Sequence, residues 1–193
     1  MIFGRKFMRF YTKKGDSGKT FCLKYLEYIP KNHPFIEFVG SLDEAESALG
    51  FASSLIPQEI EKIKNELDWI QGLLFRIGFT VSGNKCIDEN DLKRLENIAD
   101  KYSIYIESVF TLNGGHPASA AVAMARSLVR RAERRLIDLI EKKEPIGEEK
   151  LVLSILNRIS SSLYALQIAI NKLMNYETKP VKCSSEAEEY GRK

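Results

Sequence analysis

At 193 residues the chain has room for one domain with a full core. Its 44% hydrophobic and 28% charged residues exclude a disordered chain, and a net charge of +3 gives no basis for nucleic-acid binding. Cys22, Cys86 and Cys183 lack CxxC or CxxH spacing, which predicts reduced thiols and no zinc site. No apolar run approaches membrane-spanning length and the first ten residues hold no signal-peptide core, so the expectation is cytoplasmic, with no membrane partner.

In chain order, residues 1–33 are rich in Gly, Lys and aromatics and show no steady period, which predicts an irregular head. From Ser41 apolar residues recur at helical spacing. Ser41-Leu42-Asp43-Glu44 has the form of a capping box, followed by a buried stripe of Leu42, Ala45, Leu49, Ala52 and Ile56. Pro57 suits a first helical turn, and Ile60, Ile63, Leu67, Ile70, Leu74, Ile77 and Val81 form a three-four repeat. Asp88 can cap a third helix carrying Leu92, Leu95, Ala99 and Tyr102. After the turn signal Asn113-Gly114-Gly115, Pro117 opens a fourth helix with Ala121, Ala125, Leu128, Ala132, Leu136 and Leu139 inward. Pro145-Ile146-Gly147 breaks it, and a fifth helix runs from about Glu148 to Asn175. The tail, residues 176–193, is charged and Ser-rich and predicts a flexible end. The reading is a single all-α domain over residues 1–175: an antiparallel five-helix bundle at 41–175 behind an irregular N-terminal loop.

Three blocks carry polar groups that a plain bundle does not need. In Tyr11-Thr12-Lys13-Lys14-Gly15-Asp16-Ser17-Gly18-Lys19-Thr20, glycines, hydroxyls and lysines can cradle a polyphosphate, although Walker A spacing is absent; a polar surface loop reads the same way. The fourth helix holds five arginines in residues 126–135. At about 100° per residue, Arg126, Arg130 and Glu133 share a narrow stripe while Arg131 points away. That pattern is open between a solvated face and a triphosphate clamp. Asn157, Ser160, Ser161 and Ser162 are poor helix-interior residues, so their side chains have partners, in another helix or in a ligand. His33 and His116 lie in turns, without a second ligand at metal spacing.

In this order the blocks resemble the PduO-type ATP:cob(I)alamin adenosyltransferases, from about Tyr11 to Asn171. The opening Y-T-[KR]-x-G-D-x-G-x-[TS] stands at Tyr11–Thr20, V-D-E-L-N-x-x-L-G at Leu42–Gly50, and I-Q-x-x-L-F-x-[IL]-G at Ile70–Gly78. F-x-L-P-G-G stands at Phe110–Gly115, A-R-x-x-x-R-R-A-E-R at Ala125–Arg134 and L-N-R-[IL]-S at Leu156–Ser160. The resemblance implies a ferritin-like trimer with ATP between subunits, and transfer of the 5′-deoxyadenosyl group of ATP to cob(I)alamin. It implies ATP contacts from Thr12, Lys13, Lys14, Gly15, Gly18, Thr20, Lys31, Arg130, Arg131, Glu133, Arg134 and Asn157. It further implies a site-organising pair, Asp43 and Arg126, and a catalytic set of Arg130, Asn157 and Phe110, with Phe110 against the lower corrin face. Mg²⁺ is expected to enter with ATP, not at a protein-only site. A reductase and a cobalamin-dependent acceptor enzyme are the expected partners.

The chain departs from the pattern at Lys14, Glu46, Asn113 and Ser161, the last standing where an Asp is common. Two rival readings follow: a non-catalytic ATP- or corrinoid-binding trimer on the same fold, and a helical adaptor without a small ligand.

Overall fold

The computed structural model describes residues 11–109 and 111–181. The helices are α1 (Pro34–Ser54), α2 (Glu61–Val81), α3 (Glu89–Ser103), α4 (Pro117–Glu141) and α5 (Glu149–Leu173), after a hairpin of β1 (Lys19–Cys22) and β2 (Glu27–Pro30). In the bundle, α1 packs on α2 and α4, while α5 packs on α4 and α3 and crosses the core to α2. Ile63, Leu67, Ile70, Leu74 and Ile77 of α2 are buried, as are Val152, Ile155, Ile159, Leu163, Leu166 and Ile170 of α5. The three-four repeats therefore mark the core stripes.

The first helix begins seven residues before the predicted capping box. Pro34 occupies its first turn, and the Nδ1 of His33 accepts a hydrogen bond from the Phe35 amide at 3.2 Å. Ser41 lies inside that helix and turns its hydroxyl back to the Phe38 carbonyl at 2.6 Å. The same device starts α4: His116 precedes Pro117, and its Nδ1 accepts from the Ala118 amide at 3.1 Å. Both histidines are thus helix caps. Pro57 precedes a short 3₁₀ turn, Gln58–Ile60, that leads into α2. Asp88 caps α3 as expected, completing a capping box with Asp91. Asp91 also takes a bidentate pair from Arg76 at 2.9 and 2.6 Å, which locks α3 to α2.

Three further expectations need correction. The head is not wholly irregular, because the hairpin pairs Lys19 with Pro30 and Cys22 with Glu27. The start of the tail is also engaged: the Leu112 amide donates to the Lys179 carbonyl at 2.9 Å, and Tyr176 stacks edge-on against His116 at 5.2 Å. Among the described residues one helix, α5, is long and apolar enough by length and hydropathy to cross a membrane, contrary to the expectation of no such run. Its apolar surface is used inside the bundle instead. Cys22 and Cys86 are free thiols, and Cys183 lies outside the described residues.

Candidate functional site

The polar residues gather in two places. The first lies between α3, α4 and α5, where Arg126, Arg130, Ser160, Ser161, Tyr164 and Asp100 help line a cavity of about 380 Å³. Arg130 is exposed at this face while Arg126 is half-buried. The Arg126 guanidinium lies 5.5 Å over the Tyr164 ring, and its buried Nε has no hydrogen-bond partner among the described residues. Burial, and the neighbouring charge of Arg130, lower the pKa of Arg126 from its ordinary value. Two arginines on adjacent turns thus leave positive charge incompletely compensated, a setting suited to a polyanion.

Beside the cavity, Asn157 donates from Nδ2 to the Glu133 carboxylate at 3.0 Å, so α4 and α5 hold that amide in place. Ser162 is fully buried and donates to the Leu95 and Arg158 carbonyls at 2.8 and 3.0 Å, satisfying α3–α5 packing. It is the helix–helix bond that the sequence left open. Ser161 instead lines the cavity, and among the described residues its hydroxyl reaches only the Asn157 carbonyl, at 3.4 Å.

The second place is the head. Lys13 and Gly18 take positive φ of 59° and 78°, folding the loop so that the Asp16 amide meets the Lys13 carbonyl and the Gly18 amide meets the Gly15 carbonyl, both at 3.2 Å. The Lys31 amide donates to the Gly18 carbonyl at 2.9 Å. A methyl group on Gly15 would meet the Lys31 ammonium at 3.4 Å, so the lysine lies against the loop backbone. The expected grouping of Lys31 with Gly15 and Gly18 is present. Thr12, Lys13 and Lys14 are exposed around it, and Thr20 is half-buried at the start of the hairpin.

Other expected neighbours are not brought together within one chain. Arg131 pairs with Glu44 across the α1–α4 seam, away from the Arg126–Arg130 face. Asp43 lines a separate, largely apolar recess of about 200 Å³ between α1 and α2, with Leu42, Leu74, Phe75 and Phe79. Among the described residues no ion pair joins Asp43 to Arg126, and none links the head loop to Arg130, Arg134 or Asn157. Phe110 lies outside the described residues. The turn that follows it is fixed from α5, for Asn171 accepts the His116 amide and donates to the Gly114 carbonyl, both at 2.9 Å. A methyl group on Gly115 would stand 2.5 Å from the Asn171 amide, and its φ of +89° also calls for glycine.

Two departures from the resemblance acquire partners. Glu46 accepts from Gln71 at 2.7 Å, joining α1 to α2, and Asn113 accepts from Gln167 at 3.0 Å. The sequence pointed to neither contact, since the partners are 25 and 54 positions away.

Comparison with known proteins adds to this geometry. Residues 10–170 match the family model described as cobalamin adenosyltransferase. The chain is 31% identical over 174 residues to the corrinoid adenosyltransferase MMAB of Mus musculus, covering 83% of this chain and 72% of that protein. It is 32% identical over 173 residues to a corrinoid adenosyltransferase of Bacillus subtilis, covering 85% and 87%. Against PduO of Salmonella typhimurium, also 31% identical, it spans about half of the relative, 48%. A solved structure of a variant PduO-type ATP:corrinoid adenosyltransferase from Lactobacillus reuteri, complexed with cobalamin and ATP, superposes with a TM-score of 0.83 at 30% identity. That match covers 91% of this chain and all of the other.

Proposed function

The chain belongs to the cobalamin adenosyltransferase family, and from that premise we infer that it is a corrinoid adenosyltransferase, moving the 5′-deoxyadenosyl group of ATP onto the cobalt of cob(I)alamin. Co(I) attacks C5′ of ATP, the cobalt–carbon bond forms, the C5′–oxygen bond breaks and triphosphate leaves. Negative charge gathers on the leaving group, so catalysis calls for preorganised cations and needs no protein nucleophile or general base.

The observation that carries this reading is that the exposed Arg130 lines one cavity with Arg126, whose buried Nε has no hydrogen-bond partner among the described residues, while Glu133 of the same helix holds the Asn157 amide at 3.0 Å. Arg130 and Arg134 neutralise the departing triphosphate, and Asn157 orients it. The head supplies Thr12, Lys13, Lys14, Gly15, Gly18, Thr20 and Lys31 to the phosphates. Mg²⁺ arrives as part of MgATP. Ser161 cannot compete as an anion for the arginines beside it, so its loss of a carboxylate leaves more charge for the nucleotide.

The working unit is a homotrimer with its sites between subunits. Support comes from the separation just described: Asp43 and Arg131 face the α1 side of a chain, Arg126 and Arg130 the α5 side. A second copy can bring the two sets together and pair Asp43 with Arg126. Phe110, beneath the corrin, excludes an axial water and eases reduction of Co(II), because axial ligation tunes metal potentials. The protein works in the cytoplasm with a reductase that supplies the electron and an acceptor enzyme that uses the product.

Incubation with cob(II)alamin, a reductant and MgATP is the test. Formation of adenosylcobalamin with equimolar triphosphate is expected. A perturbed cobalamin spectrum without turnover would instead favour a binding protein on the same fold. Phe110→Ala is expected to abolish the four-coordinate EPR signal of bound cob(II)alamin, and identical spectra would leave Phe110 as packing.

A further inference from the structure

We propose that Tyr25 and Glu144, with Lys24, form a clasp that positions the nucleotide loop from the far end of the hairpin. The inference rests on the adenosyltransferase reading for what the loop binds and deepens it by naming positioning residues outside the ATP contacts.

The loop itself has little to hold it. From Thr12 to Gly18 its hydrogen bonds are internal or to Lys31, and among the described residues none joins that stretch to a helix. Its position is therefore inherited through β1 and β2. At the turn of that hairpin, Tyr25 donates its hydroxyl to the Glu144 carboxylate at 2.8 Å, across 119 positions of sequence. The Tyr25 ring packs edge-on against His33 and Phe35, each at 5.7 Å between centroids. One side chain thus ties the hairpin to the start of α1 and to the α4–α5 connection. His33 is two residues beyond Lys31, so a shift of Tyr25 is passed to the lysine that lies against Gly15.

Glu144 is aimed at this position by the way α4 ends. Lys143 takes a left-handed φ of 57°, its amide donates to the Ile140 carbonyl at 2.9 Å, and the Glu144 amide donates to the Leu139 carbonyl at 3.1 Å. This is a Schellman-type ending without glycine, and it turns the chain sharply toward the hairpin. Lys24 completes the cluster. Its ammonium lies 3.9 Å from Glu144 and 4.7 and 5.0 Å over the Phe35 and Tyr25 rings, with no hydrogen-bond partner among the described residues and a side chain only 11% exposed. Burying an ammonium with so little compensation opposes stability. An apolar residue would serve packing better, which points to orientation as what the cluster supplies. Burial lowers the pKa of Lys24, and burial together with the Glu144 hydrogen bond raises that of Tyr25, so the tyrosine stays a donor.

The experiment compares full-length wild type with Tyr25→Phe, which keeps the ring, and Glu144→Ala, at a partly exposed loop position. MgATP affinity is measured by calorimetry, and KM and kcat in the adenosylation assay. Both variants are expected to weaken ATP binding and raise its KM by roughly three- to tenfold, the scale of one net hydrogen bond. The KM for cob(I)alamin and kcat should stay within about twofold, because no contact made only in the transition state is lost. The double variant should be no worse than Glu144→Ala alone, since the Tyr25–Glu144 bond is already absent there. Lower melting temperatures with wild-type ATP affinity would overturn the proposal, as would a fall in kcat without a change in ATP affinity. A wild type that binds MgATP yet makes no adenosylcobalamin would sink the enzymatic reading, and the calorimetric comparison would still decide the clasp.

Discussion

On the proposed function, the cation-bearing face of α4 and the glycine-bearing head are two ways of presenting donors to one polyanion, the triphosphate of ATP. On α4 the scaffold is complete before any ligand arrives. Arg126 and Arg130 stand one turn apart, Glu133 already holds Asn157, and the backbone beneath is packed through Val129 and Ala132, both fully buried. In the head, Thr12–Gly18 is largely exposed, closes on itself through two backbone hydrogen bonds of 3.2 Å, and depends on a hairpin of two four-residue strands for its position. A preformed site spends little on ordering and can act on the transition state, whereas a weakly held loop spends part of its binding energy on ordering itself. Helix-borne groups should therefore govern kcat, and loop-borne groups the affinity for ATP.

The sharpest way to break this contrast is Arg130→Ala. It removes an exposed donor to developing charge and should lower kcat roughly a hundred- to thousandfold, about 2.7–4 kcal/mol, with the melting temperature unchanged. A variant with normal turnover would show that α4 is only a solvated face. Next in size, Lys31→Met should raise the KM for ATP about ten- to hundredfold, the range for a hydrogen bond to a charged group, with kcat nearly constant. If kcat falls as far as it does for Arg130→Ala, the division of labour is wrong.

A third measurement addresses order directly. Trypsin should cut after Lys13, Lys14 or Lys19 in the free protein, and MgATP should slow that cleavage several-fold while leaving cuts elsewhere unaffected. Equal rates with and without MgATP would remove the head from the site. The smallest effect concerns the tether of the hairpin. The Tyr25 hydroxyl is held above its ordinary pKa by burial and the Glu144 carboxylate, so the folded state keeps that proton longer than the unfolded chain does. Its contribution is whole below the unfolded value of about 10 and is lost as pH rises past it. Lys24, lowered by burial, works with the opposite sign, since its unfavourable charge is relieved as pH rises. Comparing wild type with Tyr25→Phe cancels the lysine. The difference in melting temperature, a few degrees or about what 1 kcal/mol gives at this size, should be flat from about pH 7 to 9 and shrink above about pH 10.

The same contrast explains what could be read without coordinates. Helices α2 to α5 were legible because each buries a stripe at three-four spacing, and that period survives in the sequence. The start of α1 was misplaced because histidine is not among the usual capping residues, although Pro34 at the first turn carried the signal, as Pro117 did for α4. The hairpin was missed because only Cys22 and Ile29 among its eight strand residues are buried, too few for an alternating pattern. In the candidate site, the arginine stripe follows from helical geometry alone. That Arg131 meets Glu44, or Tyr25 meets Glu144, depends on which helices become neighbours, and no local pattern encodes it.

The place of α5 in the chain bears on how the molecule is made. All of its packing partners, α2, α3 and α4, precede it in sequence. When its 25 residues leave the ribosome, the surfaces that receive them already exist, so a segment apolar enough to be taken for a membrane span waits little before burial. The converse burden falls on α3 and α4. Until α5 is synthesised, the faces of α3 and α4 that pack on it lack their cover, and a chain halted near residue 148 would expose them as sticky surface. Ribosome pausing or premature stops in that stretch should therefore send the product to chaperones or proteases.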